Sequence, residues 1–178
     1  MQLRKAVRPI LIAVLMLAAS AAGAQSTPAP ANPLDPLGWF VGGKWVAEGD
    51  KGPDGKPFHV ESTMTWGENG RTMQFTTRFR EEGKLVTVYS GIYAWNPARQ
   101  RFAFLYTDNH GSMTRGEAVM EGDRLEQEFE IVSADGAAHP FRSTIVRRGP
   151  DDYDWNVRGL KEGKWQEMIA LKYKRIRD

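Results

Sequence analysis

An alternation of apolar and polar residues characterises two neighbouring stretches of the sequence. Residues 58–66 are Phe-His-Val-Glu-Ser-Thr-Met-Thr-Trp, and residues 71–80 are Arg-Thr-Met-Gln-Phe-Thr-Thr-Arg-Phe-Arg. In the first stretch the apolar residues share one face with Ser62, and the other polar residues take the opposite face. Because successive side chains of a β-strand point to opposite faces, this period of two indicates strands with one wet face.

The same alternation recurs along the chain and is interrupted about every 8–12 residues by turn-forming sequences. Examples are Glu68-Asn69-Gly70, Glu121-Gly122-Asp123 and Lys161-Glu162-Gly163. After residue 43 no window of a dozen residues has the apolar spacing of a helix. We therefore predict an all-β domain with strands near residues 43–49, 58–66, 71–80, 84–95, 100–107, 112–120, 123–132, 139–148, 151–159 and 164–175.

Strands with one apolar face each must either stack as two sheets or curl into one barrel. The predicted turns join sequence neighbours, whereas a Greek key needs some long crossing connections. We therefore predict an up-and-down antiparallel β-barrel of about ten strands, with a short N-terminal helical turn at residues 37–41. The strand at 84–95 is apolar on both faces and contains Gly91, where we expect it to bend.

The N-terminus has the features of a secretory signal. Three basic residues precede an apolar run over residues 10–22, and Ala22-Gly23-Ala24 is a small-residue cleavage pattern. The run is shorter than the roughly 20 residues that a helix needs to cross a bilayer. We expect residues 1–24 to be a signal peptide, no membrane anchor to remain after its cleavage, and the protein to be periplasmic or secreted.

The composition of the remaining chain excludes several function classes. Residues 25–36 contain four prolines, so we expect a flexible leader before a barrel domain of residues 37–178. Taking the three basic residues of the signal from 24 leaves 21 against 22 acidic residues, a net charge of −1. This balance does not favour a nucleic-acid partner. The sequence has no cysteine, which excludes disulfides, thiolate metal sites and thiol nucleophiles.

The three histidines, His59, His110 and His139, do not have positions that favour a metal site. His59 lies in the polar register of its strand, His110 lies in a turn and His139 begins a strand, so we expect surface side chains. The sequence has neither a Gly-x-Ser-x-Gly elbow nor a phosphate-binding glycine loop. We therefore predict neither a metal nor a cofactor.

Polar residues inside the apolar register are more informative. Ser62, Thr77, Gln127 and Ser143 lie in the middle of strands whose neighbours point inward, and a buried polar group needs a partner. Two interpretations stay open: these residues line a cavity, or they bond each other or trapped water in a filled core. Aromatic residues of the same register would form the apolar walls of such a cavity, namely Phe75, Phe104, Tyr106, Phe129 and Trp155.

The stretch over residues 37–45, Leu-Gly-Trp-Phe-Val-Gly-Gly-Lys-Trp, resembles the opening motif of the lipocalin (calycin) superfamily. In that family a helical turn plugs the bottom of an up-and-down barrel, and a tryptophan packs beneath a basic residue of the last strand. The resemblance implies these structural roles for Gly43, Trp45 and Arg175. Lys172 and Lys174 are alternatives for the basic residue.

Two further resemblances bear on ligands. Residues 91–97 and 101–104, followed by an Asp-x-x-Gly turn at residues 108–111, are similar to secreted bacterial lipocalin-like proteins of unknown function. The chain also resembles nitrobindin-type haem barrels, which place an axial histidine near the end of the chain. No histidine follows His139 here, so haem is disfavoured.

These observations predict an exported lipocalin-like protein that binds a small apolar or amphipathic molecule inside its barrel. One alternative is a filled barrel with a non-catalytic envelope or stress role. Another is a barrel enzyme, an isomerase or lyase, that uses Arg147, Glu167 or Arg175 as its acid or base. We favour a role without catalysis because these charged residues lie near predicted strand ends, where water reaches them.

Overall fold

The computed structural model describes residues 31–49 and 55–177, so the expected signal at residues 1–24 lies outside the described residues. Within them a 3₁₀ helix, Asp35–Phe40, precedes ten strands, and no helix is long and apolar enough to span a membrane. The strands are β1 Lys44–Gly49, β2 Phe58–Trp66, β3 Thr72–Glu81, β4 Lys84–Asn96, β5 Arg101–Asp108, β6 Met113–Glu121, β7 Arg124–Val132, β8 Ala138–Arg147, β9 Asp152–Lys161 and β10 Lys164–Ile176. The all-β prediction is confirmed, and each strand boundary lies within about two residues of its predicted position.

The ten strands form one closed antiparallel barrel in up-and-down order. Each strand pairs with its sequence neighbours, and β10 pairs with β1. The closing seam consists of three residue pairs, Lys44 with Ile176, Trp45 with Arg175 and Val46 with Lys174. The predicted barrel is thus confirmed, and closure removes the free edges that an open sheet would present.

Tight turns at one end of the barrel hold the register of the neighbouring strands. Glu82 and Gly83 have φ angles of 48° and 80° and join the paired residues Glu81 and Lys84. Glu162 and Gly163 form an equivalent turn between β9 and β10, with φ angles of 51° and 75°. Two left-handed residues in succession are typical of the type I′ turn, whose twist matches that of the strands it joins.

The barrel has two unlike ends, which we call the floor and the rim. The floor is the end that the 3₁₀ helix covers, with the β2–β3, β4–β5, β6–β7 and β8–β9 turns. The rim is the opposite end, with the β3–β4, β5–β6, β7–β8 and β9–β10 turns. Leu37 and Phe40 of the helix are buried against the floor. The helix therefore closes one end of the barrel, and it lies where a helical turn was predicted, at residues 37–41.

The folded unit begins before residue 37, the first residue after the flexible leader predicted at residues 25–36. Leu34 has no exposed surface, and the Asn32 side chain donates a hydrogen bond to the Gly70 carbonyl at 2.7 Å. Residues 31–36 therefore belong to the barrel unit, while residues 25–30 lie outside the described residues. The prolines restrict this segment without detaching it, because Pro36 fits the first turn of a helix.

The register of β4 shifts at a bulge. Thr77 pairs with Tyr89, but Arg78 pairs with Thr87, so Val88 is the additional residue. Gly91 allows a close approach, since a Cβ there would lie 2.3 Å from Tyr106 Cβ. The bulge shifts the alternation by one residue, which explains why this strand is apolar on both faces.

The outer face of the barrel carries ion pairs within β7 and between β7 and its two neighbouring strands. The three glutamates of β7, which alternate along one face, each contact an arginine. These contacts are Arg124 with Glu126, Arg142 with Glu128 at 3.0 Å, and Arg115 with Glu130 at 2.5 Å. Because these side chains are solvent-exposed, such pairs contribute little to stability individually. They show that the glutamates of β7 point away from the interior.

Candidate functional site in the barrel interior

Trp45 forms the centre of the floor. Its side chain has no exposed surface, and its Nε1 donates a hydrogen bond to the Phe40 carbonyl at 2.7 Å. The guanidinium carbon of Arg175 lies 4.3 Å from the centroid of the Trp45 ring. Tyr153 packs against the same ring at 4.8 Å between centroids. The tryptophan therefore joins the helix, the first strand and the last strand.

Arg175 holds the 3₁₀ helix against the floor of the barrel. Its guanidinium donates hydrogen bonds to the carbonyls of Trp39 and Val41, and its Nε lies 3.5 Å from an Asp151 carboxylate oxygen. Burial lowers the pKa of Arg175 from its ordinary value. The cation is thus surrounded by helix carbonyls, an aromatic ring and one carboxylate, an arrangement that stabilises the floor.

The charged residues considered for catalysis lie away from the upper interior. Arg175 and Arg147 are at the floor, where the Arg147 guanidinium lies 5.6 Å from the Trp39 ring centroid. Glu167 pairs with Arg158 on the outer face and accepts a hydrogen bond from Asn156 at 2.5 Å. The three side chains are therefore not brought together around a common space.

A polar cluster of Tyr93, Gln127 and Ser143 lies at the middle of the interior. The Gln127 amide nitrogen donates to the Tyr93 hydroxyl at 2.7 Å, and the Ser143 hydroxyl donates to the Gln127 amide oxygen at 2.5 Å. All three side chains are buried. Because each side chain has a partner within the cluster, its burial does not leave an unpaired polar group there.

Two smaller groups continue this polar band around the interior. The Ser62 and Thr77 hydroxyls are 3.0 Å apart, and Tyr173 hydrogen-bonds to Ser62. Tyr106 hydrogen-bonds to Thr114 in the same way. The four inward polar residues identified from the sequence therefore bond each other or a tyrosine. Hydrogen bonding among these residues is one of the two arrangements that the sequence pattern left open.

All five tyrosines of the protein point into the barrel. They are Tyr89, Tyr93, Tyr106, Tyr153 and Tyr173. Burial raises the pKa of every one of them, and it raises that of Tyr106 to about 12. The interior therefore presents neutral hydroxyl groups at ordinary pH, set among apolar rings.

Aromatic rings line the interior between the cluster of Tyr93, Gln127 and Ser143 and the rim. The ring centroids of Phe129 and Phe141 are 5.6 Å apart in a stacked pair, and those of Phe75 and Tyr106 are 5.5 Å apart, edge to face. Unlike the floor residues, these side chains are only partly buried. Their partial exposure distinguishes this region from the floor, and we call it the upper lumen.

A second glycine makes room for these rings. A Cβ on Gly116 would lie 2.4 Å from Phe129 Cβ and 2.8 Å from Phe104 Cζ. Such distances are shorter than any normal carbon contact, so only glycine fits. Gly116 on β6, like Gly91 on β4, lets an aromatic side chain of the next strand lie flat on the barrel wall.

Charge is confined to the two ends of the interior. Asp108 is at the rim, where burial opposes its ionisation but the backbone N–H groups of Ser112 and His110 outweigh this effect and lower its pKa. His139 pairs with Ile131 at the rim and is exposed. Among the described strand residues, no charged side chain points inward between these positions and the floor arginines. The upper lumen is therefore apolar and neutral.

The sequence-predicted binding residues all lie on the inner face. Their register partners place Ser62, Phe75, Thr77, Phe104, Tyr106, Gln127, Phe129, Ser143 and Trp155 at inward positions of β2, β3, β5, β7, β8 and β9. Sequence reasoning missed Tyr93, Tyr173 and Thr114, which complete the polar groups. The inward register would have identified Tyr173, since it alternates with Arg175.

The histidines do not form a metal site. His59 lies on the outer face, where its two ring nitrogens contact Glu48 at 3.1 Å and Glu61 at 3.0 Å. His110 lies in the β5–β6 turn and His139 at the rim. In the part of the chain that the structure describes, no three His, Asp or Glu side chains are arranged to hold a metal ion.

The architecture defines this chain as a ten-stranded antiparallel β-barrel with a helical plug at one end. Fifteen solved chains match it, and one of them is the crystal structure of Rv2717c from M. tuberculosis. That match has a TM-score of 0.58 and 16% sequence identity, and it covers 83% of this chain and 99% of Rv2717c. No protein-family model matches this chain, and no curated protein matches it. At this identity the likeness shows the fold alone.

Proposed function

We propose that this protein is a lipocalin-like barrel that binds a small, uncharged apolar or amphipathic molecule in the upper lumen. The observation that carries the proposal is the contrast in burial along the inner face. Inward rings such as Phe75, Phe129 and Phe141 are partly exposed, whereas the floor beneath them is packed and plugged. A ligand would enter at the rim and cover these rings.

The chemistry of the upper lumen supports an uncharged ligand. Aromatic walls favour apolar or planar groups, and a few buried polar groups orient them. Tyr93, Gln127 and Ser143 lie directly below, where they can exchange one internal hydrogen bond for one to a ligand. A charged ligand at this depth would lack a counter-ion, and burial of an unpaired charge is costly.

The location is a further part of the proposal. The basic residues, short apolar run and Ala22-Gly23-Ala24 pattern of residues 1–24 support export to the periplasm or the medium. Cell fractionation with intact mass measurement tests this directly. Export predicts a periplasmic or secreted species whose mass begins at Gln25, whereas a cytoplasmic species that retains residues 1–24 would contradict it.

Native mass spectrometry of the purified protein is the test of ligand binding. We expect an additional mass that is released on denaturation, and we expect Phe129→Ala to reduce its occupancy because that ring is part of the upper lumen wall. Glu128→Gln is the matched control, since the neighbouring side chain lies on the outer face. It removes an exposed ion pair without touching the lumen, so occupancy should not change.

The released molecule is then identified and titrated back into the emptied protein. Recovery of a bare protein that responds to no uncharged apolar probe would contradict ligand binding. The mutual hydrogen bonds of the polar band would then be those of a filled core, and the envelope or stress role would replace the present proposal. Equal occupancy in Phe129→Ala would place the ligand elsewhere on the molecule.

A further inference from the structure

A second concavity lies at the floor, between the proline segment and inward side chains of β4, β5 and β6. It has a volume of about 400 Å³, which falls in the range of roughly 300–1,000 Å³ typical of small-molecule sites. Three segments form it: the proline segment around Pro33 and Pro36, the β4–β5 turn and the β6–β7 turn. We call it the floor cleft.

Apolar side chains form the back of the floor cleft. The Trp95 and Phe102 rings meet edge to face with centroids 5.5 Å apart, and Met120 and Ala118 continue this wall. Phe102 and Ala118 are themselves nearly completely buried. The cleft therefore lies at the floor end of the barrel, and a molecule in it would not reach the rings near the rim.

The mouth of the cleft carries one cation, Arg101. Within the described residues Arg101 forms no salt bridge, and no carboxylate lines the cleft. The nearest turn arginine differs in this respect, because Arg99 pairs with Glu117 at 3.0 Å. An apolar wall with a single uncompensated guanidinium at its edge matches a ligand that has an apolar body and one anionic group.

We propose that the floor cleft is a second binding site, selective for small carboxylates with an alkyl or aryl body. The apolar body lies on Trp95, Phe102 and Met120, and the carboxylate pairs with Arg101. This site differs in chemistry from the upper lumen, which is neutral, and it is independent of the proposed lumen ligand. The two sites face opposite ends of the barrel.

Methionine-methyl NMR with decanoate as the probe tests the proposal. Met120 lines the cleft, whereas Met64 on β2 does not, so the Met120 methyl signal reports the cleft and the Met64 signal serves as an internal reference. We expect decanoate to shift the Met120 signal in a saturable manner and to leave Met64 unchanged. Decanol, which lacks the charge, should bind more weakly.

Three variants separate the contributions. Arg101→Gln is expected to weaken decanoate binding by roughly fivefold, the effect of losing one partly exposed ion pair. Arg101→Lys should restore part of the affinity. Arg99→Gln is the matched control on the same turn and should bind decanoate normally. Both positions are exposed, so the unfolding midpoint should stay unchanged.

Any of three results would overturn the floor cleft as a carboxylate site. The first is no Met120 response to decanoate. The second is equal affinity in Arg101→Gln and the unmodified protein. The third is a response at Met64, which would place decanoate away from the floor cleft. Phe129→Ala keeps the two proposals apart, since it affects only the upper lumen.

Discussion

The floor and the upper lumen are built from the same kinds of residue but are packed differently. At the floor, Trp45 is fully buried, hydrogen-bonded through its indole nitrogen and covered by Arg175. In the upper lumen, the rings of Phe79, Phe129 and Phe141 point inward yet remain partly exposed. The difference arises because the 3₁₀ helix covers one end only.

This difference separates stability from binding within one barrel. Rings at the floor are already surrounded by protein, so burial there contributes to the folding free energy. Rings in the upper lumen keep part of their apolar surface in water, and that surface is available to stabilise a bound molecule. The cluster of Tyr93, Gln127 and Ser143 lies between the two regions, and its hydrogen bonds are satisfied within the protein.

The largest effect that would test this division is expected for Trp45→Ala. Removal of this buried ring leaves a cavity at the floor and should destabilise the protein by about 3–5 kcal/mol. Phe79→Ala near the rim should cost only about 1–2 kcal/mol, since that ring is partly exposed. Urea unfolding of both variants measures the two values. Similar losses at the two positions would break the distinction between floor and upper lumen.

Gly91→Ala should have the next largest effect and sharpens the description of the lumen wall. The new methyl group would lie 2.5 Å from the Leu105 carbonyl oxygen as well as against Tyr106, and backbone cannot move aside easily. Overpacking of this kind costs about 1–3 kcal/mol. Urea unfolding measures this loss of stability. Gly83→Ala is not a suitable control, because Gly83 has a positive φ angle that itself disfavours alanine. A neutral Gly91→Ala would mean that the upper wall is loose enough to adapt.

Alkaline titration examines the interior as a whole. Burial raises the folded-state pKa of all five tyrosines, so stability is fully present below the unfolded pKa of about 10 and is lost as pH rises above it. Tyrosinate absorbance in the folded protein should therefore remain low at pH 10. If one tyrosine ionised with an ordinary pKa while the protein stayed folded, at least one ring would lie outside the barrel.

Acid titration of Glu61 should have the smallest effect, because this group lies on the outer face and away from both regions. The hydrogen bond from His59 lowers the Glu61 pKa. The associated stability is present above the unfolded pKa of about 4.3 and is lost as pH falls through the lower folded value. Glu61→Gln should flatten the decline of the urea midpoint below about pH 5. An unchanged acid profile would show that the contact contributes nothing.

The sequence predicted the strands well because alternation and turn residues are local signals. The strand at residues 58–66 was located to the residue, since each of its positions reports its own face. Arg175 was named as the candidate partner of Trp45 because the lipocalin resemblance implies a basic residue of the last strand there and the register favours Arg175. The two residues are indeed paired across the closing seam. The first inference needs only the period of two, whereas the second also needs the resemblance.

The side-chain contacts across the lumen could not be predicted from the sequence in the same way. Tyr93 on β4 bonds Gln127 on β7, and Tyr173 on β10 bonds Ser62 on β2. Register specifies which face a residue takes but not which side chains meet across a closed barrel. Tyr93 was further obscured by the bulge at Val88, which breaks the alternation of β4. The floor cleft forms because Leu34 and its neighbours pack onto the barrel. The proline content of residues 25–36 had instead predicted a flexible leader there.

The seam between β1 and β10 has a consequence for how this protein reaches its folded state. Only three residue pairs join these strands, and they connect residues about 130 positions apart in the chain. Contacts of such long sequence separation form late, because closing a long loop is entropically unfavourable until other contacts exist. Until β10 has been synthesised and has docked, β1 and β9 expose unpaired backbone groups. A ribosome-bound chain lacking its last dozen residues would therefore be an open sheet with two unpaired edge strands. Truncation at the C-terminus should promote aggregation rather than produce a smaller barrel.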